Sequence, residues 1–412
     1  MTEAFIIDTC RTPRGIGKLG KGALADFHPQ HLAATVLKAL AERNQLNTAD
    51  VDDVIWGTST QRGKQGNDMA RMALLDAGYD PRASGVTLDR FCGSGITSVN
   101  LAAASILSGM EDLVIAGGCE MMSYTATLAD PKAPPVMDAG NLRLRARVPQ
   151  SHQGVCADAI ATLEGISREA LDDLAYVSQQ RAALAIEQGR FARSLVPVHR
   201  DDGTLALGHE EFPRPQTTRE GLAALKPAFE MLANVVVDEA GNTYGGLIRQ
   251  VFPDLKIQHS HHAGNSSGVV DGAGALLLAS AGYVNKSGLK PRARVLAMAN
   301  MGDSATLMLN APVPAARKVL AKAGLTVDDI DLWEINEAFA VVAEKFIRDL
   351  RLDRDKVNVN GGAMALGHPI GATGSLLIGT VLDELERRDL KRGLVTMCAA
   401  GGMAPAIIIE RV

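Results

Sequence analysis

Short apolar runs of strand length alternate along the chain with longer stretches whose apolar residues return every three or four positions. Residues 4–8 and 53–56 read as strands. Residues 31–43 read as a helix, because Leu32, Val36, Leu37 and Leu40 fall on one of its faces. This rhythm predicts an α/β protein.

The rhythm also repeats. A helix, an acidic turn and a strand run from Ala33 through Asp50 to Val54, and the same order returns from Pro314 through Asp329 to Leu332. Asp50 matches Asp329 and Gly95 matches Gly374 at one offset, 279 residues (329 − 50 and 374 − 95). Each of those glycines opens a small-residue helix, over 96–107 and 375–385, and each helix leads to an apolar strand running into glycines, over 113–118 and 394–402. Agreement at two distant places argues for a duplicated unit. Two similar halves would set their glycine turns side by side around one shared site.

Between the repeats lies a different stretch. It holds the Pro-rich piece Asp130-Pro131-Lys132-Ala133-Pro134-Pro135, a helical pattern at 168–188, and polar turns at 201–211 and 238–246. It reads as an insertion over the site. The chain therefore divides into a first half (1–118 with 252–285), a loop domain (119–251) and a second half (286–412).

Composition narrows the class. The 412 residues are 46% hydrophobic and 22% charged, with 42 basic and 47 acidic side chains, the balance of a soluble globular protein. No basic stripe marks a nucleic-acid binder, and the mixed run from Glu386 to Arg392 reads as a solvated helix end. The first residues lack the basic and apolar pattern of a signal peptide. The apolar stretch 269–278 contains Asp271 and is too short for a bilayer, so no membrane span and a cytoplasmic setting are expected. Five cysteines, at 10, 92, 119, 156 and 398, are widely spaced without a C-x-x-C pair and read as reduced thiols. His259 and His261 would share one face of a strand, but nothing beside them completes a ligand spacing, so no metal is expected.

Four motifs carry chemistry. In Arg90-Phe91-Cys92-Gly93-Ser94-Gly95 a cysteine sits at a turn before a helix, where the backbone dipole favours thiolate and lowers its pKa. A small buried thiol fits that turn equally. In Gly367-His368-Pro369 an imidazole able to take a thiol proton stands among glycines; the alternative is a histidine that closes a turn. In Met397-Cys398-Ala399-Ala400-Gly401-Gly402 a strand delivers a second cysteine into a turn whose N–H groups could face an oxyanion, and a core cysteine is the alternative. In Trp333-Glu334-Ile335-Asn336-Glu337-Ala338-Phe339 a strand ends at Asn336, which either holds a water or caps the next helix.

Together these motifs resemble the thiolase family across essentially the whole chain. The likeness extends to Arg11-Thr12-Pro13, to Gly117-Gly118-Cys119-Glu120-Met121-Met122-Ser123, to His152-Gln153-Gly154 and to the stretch from Ala263 to Ala273. The resemblance implies a five-layered αβαβα core of two similar halves, a loop domain that helps bind coenzyme A, and assembly as a homodimer or homotetramer. It implies an acyl-CoA C-acyltransferase that cleaves 3-ketoacyl-CoA with coenzyme A, or condenses two acetyl-CoA, through an acyl group on Cys92. Coenzyme A and acyl-CoA would be substrates, with no cofactor permanently bound. His368 would accept the Cys92 proton, Cys398 would move the α-proton, and Asn336 would hold a water against the enolate. The backbone N–H groups of Cys92 and Ala400 would form a second oxyanion site. For coenzyme A the resemblance points to His152, Ala263, Gly264, Ser267, Ala338 and Phe339.

The sequence departs from many relatives at Gln153, often Met, and at His262, often Thr. It also departs at Met308-Leu309-Asn310-Ala311-Pro312 and at Ala400 and Ala404, where glycines are common. These changes leave room for longer or branched 3-ketoacyl chains. The rivals are a ketoacyl-ACP-type condensing enzyme, against which Cys398 argues, and an inactive lipid-carrier relative, which should lack one of the four motif residues. A dinucleotide-binding oxidoreductase would need a G-x-G-x-x-G after the first strand, which is missing.

Overall fold

The computed structural model describes residues 3–130 and 134–412, so part of the Pro-rich piece lies outside the described residues. Its framework is a mixed sheet. The first half supplies β1 (Ala4–Arg11), β2 (Asp53–Gly57), β3 (Ser84–Leu88), β4 (Leu113–Met121) and β5 (Val270–Ser280). The second supplies β6 (Ala293–Gly302), β7 (Leu332–Ile335), β8 (Arg392–Thr396) and β9 (Met403–Arg411). The order across the sheet is β7-β8-β9-β6-β1-β5-β4-β2-β3. Read outward from the centre, each half repeats one plan, two antiparallel pairings and then a parallel one, to which the first half adds a second parallel pairing of β2 with β3. The halves join where β1 meets β6, through Phe5 opposite Arg294 and Ile6 opposite Ala293.

Period-two alternation assigns each strand two apolar faces. Val114, Ala116, Leu276 and Leu278 turn inward to one core, while Leu113, Ile115, Ala275 and Leu277 turn to another. The outer core of the first half is closed by α1 (Pro29–Arg43), whose Leu32, Val36, Leu37 and Leu40 are fully buried. Each such side chain contributes about 1.5–3 kcal/mol, enough for four of them to pin the helix. It starts two residues before the expected position 31, because Pro29 suits a first helical turn and the His28 ring accepts from Gln30 N. The outer core of the second half is closed by α5 (Pro312–Ala323) and α6 (Ala340–Leu350).

Between the two sheet portions lie α2 (Ser94–Ser108) and α7 (Thr373–Arg387), which share one core with both. The layers therefore run helix, sheet, helix, sheet, helix. The composition of α2 is apolar enough for a membrane span, yet here it is an internal layer. The 279-residue offset maps Ser94–Ser108 onto Thr373–Arg387, and it also maps the turn Thr48–Asp50 onto Val327–Asp329. A Cβ on Gly374 would lie 2.1 Å from Ile96 N, and one on Gly95 2.8 Å from Gly374 N. The matched glycines are thus where the two central helices touch.

After Met121 the chain leaves the sheet and returns at Val270. This excursion contains α3 (Gln153–Leu163) and α4 (Arg168–Glu187), the latter close to the expected 168–188. The polar stretch 201–211, expected as a turn, takes part in a small hairpin of Val198–His199 with Leu205–Leu207.

Candidate active site

The touching helix starts bring the distant motifs to one end of the central layer. Cys92 lies two residues before α2, and His368 five before α7. The Cys92 turn is stapled by Ser94, whose Oγ accepts from Arg90 N at 2.8 Å and donates to Phe91 O at 2.7 Å. Phe91 is held in the left-handed region at φ 49°, a strain that a functional turn can carry. At Gly93 a Cβ would lie 2.8 Å from Pro405 Cδ and 3.4 Å from Ala399 Cβ, so this turn rests on the Cys398 turn.

The second turn closes through Ala399 N to Met403 O at 2.7 Å and Met403 N to Ala399 O at 3.1 Å, with Gly401 and Gly402 at φ 78° and 80°. Among the described residues, the N–H groups of Cys92 and Ala400 donate to no backbone acceptor. Asn336 follows β7 and bonds through its N–H to Thr396 O at 3.3 Å, two residues before Cys398. Its side chain is buried, and neither Oδ1 nor Nδ2 meets a protein partner among the described residues.

His368 is buried and anchored by its N–H to Gly268 O at 2.9 Å. Its Nδ1 lies 2.6 Å from Thr373 Oγ1, and that hydroxyl donates its single proton to Pro369 O at 3.0 Å. Thr373 can therefore only accept from the ring, which places the proton on Nδ1 and leaves Nε2 as a base. Nε2 has no protein partner among the described residues. Burial lowers the ring to about 4, so the imidazole is neutral at physiological pH.

The thiols correct one expectation. Cys92 is not a lowered thiol: burial of its sulfur pushes it up to about 12, against a lowering backbone hydrogen bond and with raising contributions from Glu120 and Asp89. Desolvation outweighs the helix end, which is typically worth only about 0.3–1 kcal/mol. Burial also raises Cys398, and the nearby Cys92 sulfur raises it further. At rest the site is a neutral set of two thiols and an imidazole.

Supporting residues lie beyond what the motifs signalled. Asn358 clasps the strand before Asn336, its Oδ1 accepting from Ile335 N at 2.9 Å and its Nδ2 donating to Ile335 O at 2.8 Å. Glu337 on the other side accepts from Asn358 Nδ2 at 2.9 Å and from Ser178 Oγ of the inserted stretch at 2.7 Å. Ser178 and Thr373 sit in ordinary helical sequence and give no local cue.

Of the residues expected at coenzyme A, Ala263 and Gly264 line a cavity of about 290 Å³ with Phe212, Arg214 and Met364. Ser267 N bonds to Ala338 O at 3.0 Å, and the bridge of Ser266 with Phe339 continues that ribbon toward Gly268 and His368. His152 stands apart from the cavity and caps α3; its ring centroid is 5.9 Å from Phe229, which lies 5.8 Å from Phe339. A larger cavity of about 430 Å³, between α4 and α6, contains none of the expected residues but reaches Glu337 and Asn358. His259 and His261, the pair without a completed metal-ligand spacing, both bond to Asp158, at 2.7 and 2.8 Å.

Comparison with known proteins agrees with this arrangement. The family models for the thiolase N-terminal and C-terminal domains match residues 4–243 and 289–411. The chain is 40% identical to an acetyl-CoA acetyltransferase of Escherichia coli K12 over the full length of both, and 41% identical to a beta-ketoadipyl-CoA thiolase of Pseudomonas aeruginosa over 100% and 99% of the two chains. The crystal structure of human mitochondrial 3-ketoacyl-CoA thiolase superposes with a TM-score of 0.83 at 32% identity, covering 100% of this chain and 99% of that one. A likeness of this degree from end to end, over a fold whose two halves meet at paired cysteine and histidine turns, means that the chain belongs to the thiolase family.

Proposed function

We propose that this thiolase cleaves 3-ketoacyl-CoA with coenzyme A, reversibly, with Cys92 carrying the acyl group. The reading rests above all on one observation: the Cys92, His368, Cys398 and Asn336 turns gather at one end of the central helices, and His368 Nε2 and the Asn336 amide have no protein partner among the described residues. Buried polar atoms of that kind are rare unless a substrate or water completes them.

In cleavage, Cys92 passes its proton to His368 Nε2 as its sulfur attacks the C3 carbonyl carbon. The backbone N–H groups of Cys92 and Ala400 take the developing oxyanion. The bond between C2 and C3 breaks, and its electron pair becomes the enolate of acetyl-CoA. That enolate oxygen is held by the protonated His368 and by a water on Asn336, and Cys398 supplies a proton to its carbon. The incoming coenzyme A thiol then gives its proton to Cys398 and displaces the acyl group from Cys92, which recovers its proton from His368. Condensation is the same path reversed. Two thiols divide the work because one must carry the acyl group while the other moves a proton.

Ala263, Gly264, Ser267, Ala338, Phe339 and His152 bind coenzyme A in this reading, the loop domain (119–251) covering a site built by the halves 1–118 with 252–285 and 286–412. The excursion between Met121 and Val270 supports an inserted domain there, with residues 119–121 still in β4 of the first half and 252–269 outside the sheet. The enzyme works in the cytoplasm as a homodimer or homotetramer, with coenzyme A arriving as substrate and no permanent cofactor.

Mass spectrometry after incubation with acetyl-CoA tests the core of the proposal. An acetyl group is expected on Cys92, and one on any other residue overturns the assignment. Cys92→Ser should abolish thiolysis and condensation, whereas Cys398→Ala should still acetylate slowly at Cys92 and form no carbon–carbon bond. Thiolysis across 3-ketoacyl-CoA chain lengths would then define the acyl preference.

A further inference from the structure

The second-half turn that carries His368 is not held by its own half alone. Three residues after the histidine, Gly371 N donates to the Glu120 carboxylate of the first half at 2.9 Å. The same Oε2 accepts from Ser59 N at 2.8 Å, while Oε1 accepts from Thr60 N at 3.2 Å and from Gln65 Nε2 at 2.7 Å. Gln65 cannot be turned around, because its Oε1 accepts from Met121 N at 2.9 Å. Glu120 is fully buried, which raises its carboxyl above the ordinary value, but four donors with no acceptor around it oppose that rise and suit an ionised carboxylate.

The packing is equally tight. A Cβ on Gly371 would lie 2.6 Å from Thr58 Cα, and one on Gly118 would lie 2.1 Å from Gly371 O. The loop leaving His368 is therefore wedged against the ends of β2 and β4, with the carboxylate as its polar fastening.

We propose that Glu120 is a positioning residue for catalysis, its carboxylate tying the His368 turn of one half to the 59–65 loop of the other and so fixing His368 against Cys92. The inference rests on the roles given to Cys92 and His368 above. It carries a second consequence. Burial is the main reason the Cys92 thiol is held high, and the Glu120 charge adds to it. Misplacing a catalytic base by about 1 Å typically costs on the order of 100-fold in rate.

Glu120→Gln keeps the shape and removes the charge, and its amide meets at least one facing N–H with an NH₂ group. The expected result is a kcat for thiolysis lowered about 30- to 100-fold with KM within about 3-fold, while the iodoacetamide alkylation curve of Cys92 moves to lower pH. A thiol that alkylates more readily but turns over more slowly is not what simple loosening of the fold would produce. A folded Glu120→Gln enzyme with kcat within about 2-fold of the parent, or with an unmoved alkylation curve, overturns the proposal. Hydrogen exchange on the unaltered enzyme guards against a variant that does not fold: a peptide spanning 368–373 should exchange slowly at Gly371, and exchange as fast as an exposed loop overturns it. Acetylation of unaltered Cys92 is measured alongside, so that failure of the nucleophile assignment is seen separately from failure of Glu120.

Discussion

A cysteine protonated at rest and a histidine neutral at rest need each other in a way that a preformed thiolate and imidazolium do not. With burial holding His368 at about 4 and Cys92 at about 12, the proposed mechanism forms the reactive thiolate only as the proton passes to Nε2. The sign of the pH response follows. In the proposed mechanism acylation of Cys92 needs neutral His368, so its rate should be level through neutrality and fall only as the pH drops through about 4, rather than near the ordinary histidine value of about 6.5. Alkylation of free Cys92 by iodoacetamide, which reads thiolate directly, should keep climbing from pH 7 to pH 10. A plateau already reached at pH 7 would mean a standing ion pair and would refute this account. The sequence made both residues legible as candidates, since a cysteine at a glycine turn and a histidine among glycines are local signals. Their protonation states were not legible, because desolvation is set by everything packed around an atom. The helix end visible in Gly93-Ser94-Gly95 pointed to the wrong sign for Cys92. The tautomer of His368 likewise depends on Thr373, five residues on, whose hydroxyl is committed to Pro369 O only once α7 has formed.

Elements were readable where period alone decides them, and unreadable where a distant charge does. The strands and central helices announced themselves by alternation and by the 279-residue offset, and the offset matched α2 to α7 at both ends. The attachment of the inserted stretch to β1 had no such signal. Besides the backbone bonds of Arg11 N to Ser194 O and of Val196 N to Arg11 O, both 2.8 Å, it is made by Glu210, whose carboxylate lies 2.6 Å from Arg11 Nη1 and 3.0 Å from Arg14 Nη2 and also accepts from Arg14 N at 2.8 Å. All three side chains are buried. Burial by itself would raise Glu210, but Arg11 and Arg14 outweigh it and hold the carboxyl at about 2. Burial also pulls Arg11 down, yet a guanidinium starts so high that it stays charged. Glu210→Ala would leave two buried cations without their anion, and a cost of about 3–5 kcal/mol is expected. Because the folded carboxyl is depressed, its stabilisation is complete above the unfolded value near 4.5 and is lost as the pH falls from there toward 2. Thermal melting of parent and variant should therefore differ by a constant gap from pH 6 to 8, and the gap should narrow progressively as the pH falls from about 4.5 toward 2. A gap that persists unchanged into acid would show that packing, not charge, makes the attachment.

At the scale of the whole molecule, one active site is possible because two halves approach closely enough to share it, and at the central helices that approach is limited by Gly95 and Gly374. Strand pairing between β1 and β6 links the halves through only two residue pairs, so the helix contact, together with the Gly371 loop, sets how the rest of them align. Gly374 has ordinary negative φ, so its value lies in its missing side chain rather than in a special backbone. An added methyl would fall 2.1 Å from Ile96 N and 2.6 Å from Gly95 C, both backbone atoms that cannot swing aside. Either α7 shifts outward or the start of α2 moves, and that start is two residues from Cys92. Overpacking of this kind typically costs about 1–3 kcal/mol, and here the strain is applied to the joint between halves. Gly374→Ala should lower the melting temperature by several degrees. In the enzyme that remains folded, kcat should fall about 10-fold or more, because His368 and Cys92 ride on opposite sides of the forced gap. Gly302, at the end of β6, is the matched control: it has no positive φ, and a Cβ there meets nothing within 4 Å. Gly302→Ala should leave melting within about 1 °C of the parent or slightly above it, since losing a glycine trims the entropy of the unfolded chain. If the two variants melt and turn over alike, the central helices do not govern how the halves meet, and the convergence of the two thiols and the imidazole must be enforced by the sheet instead.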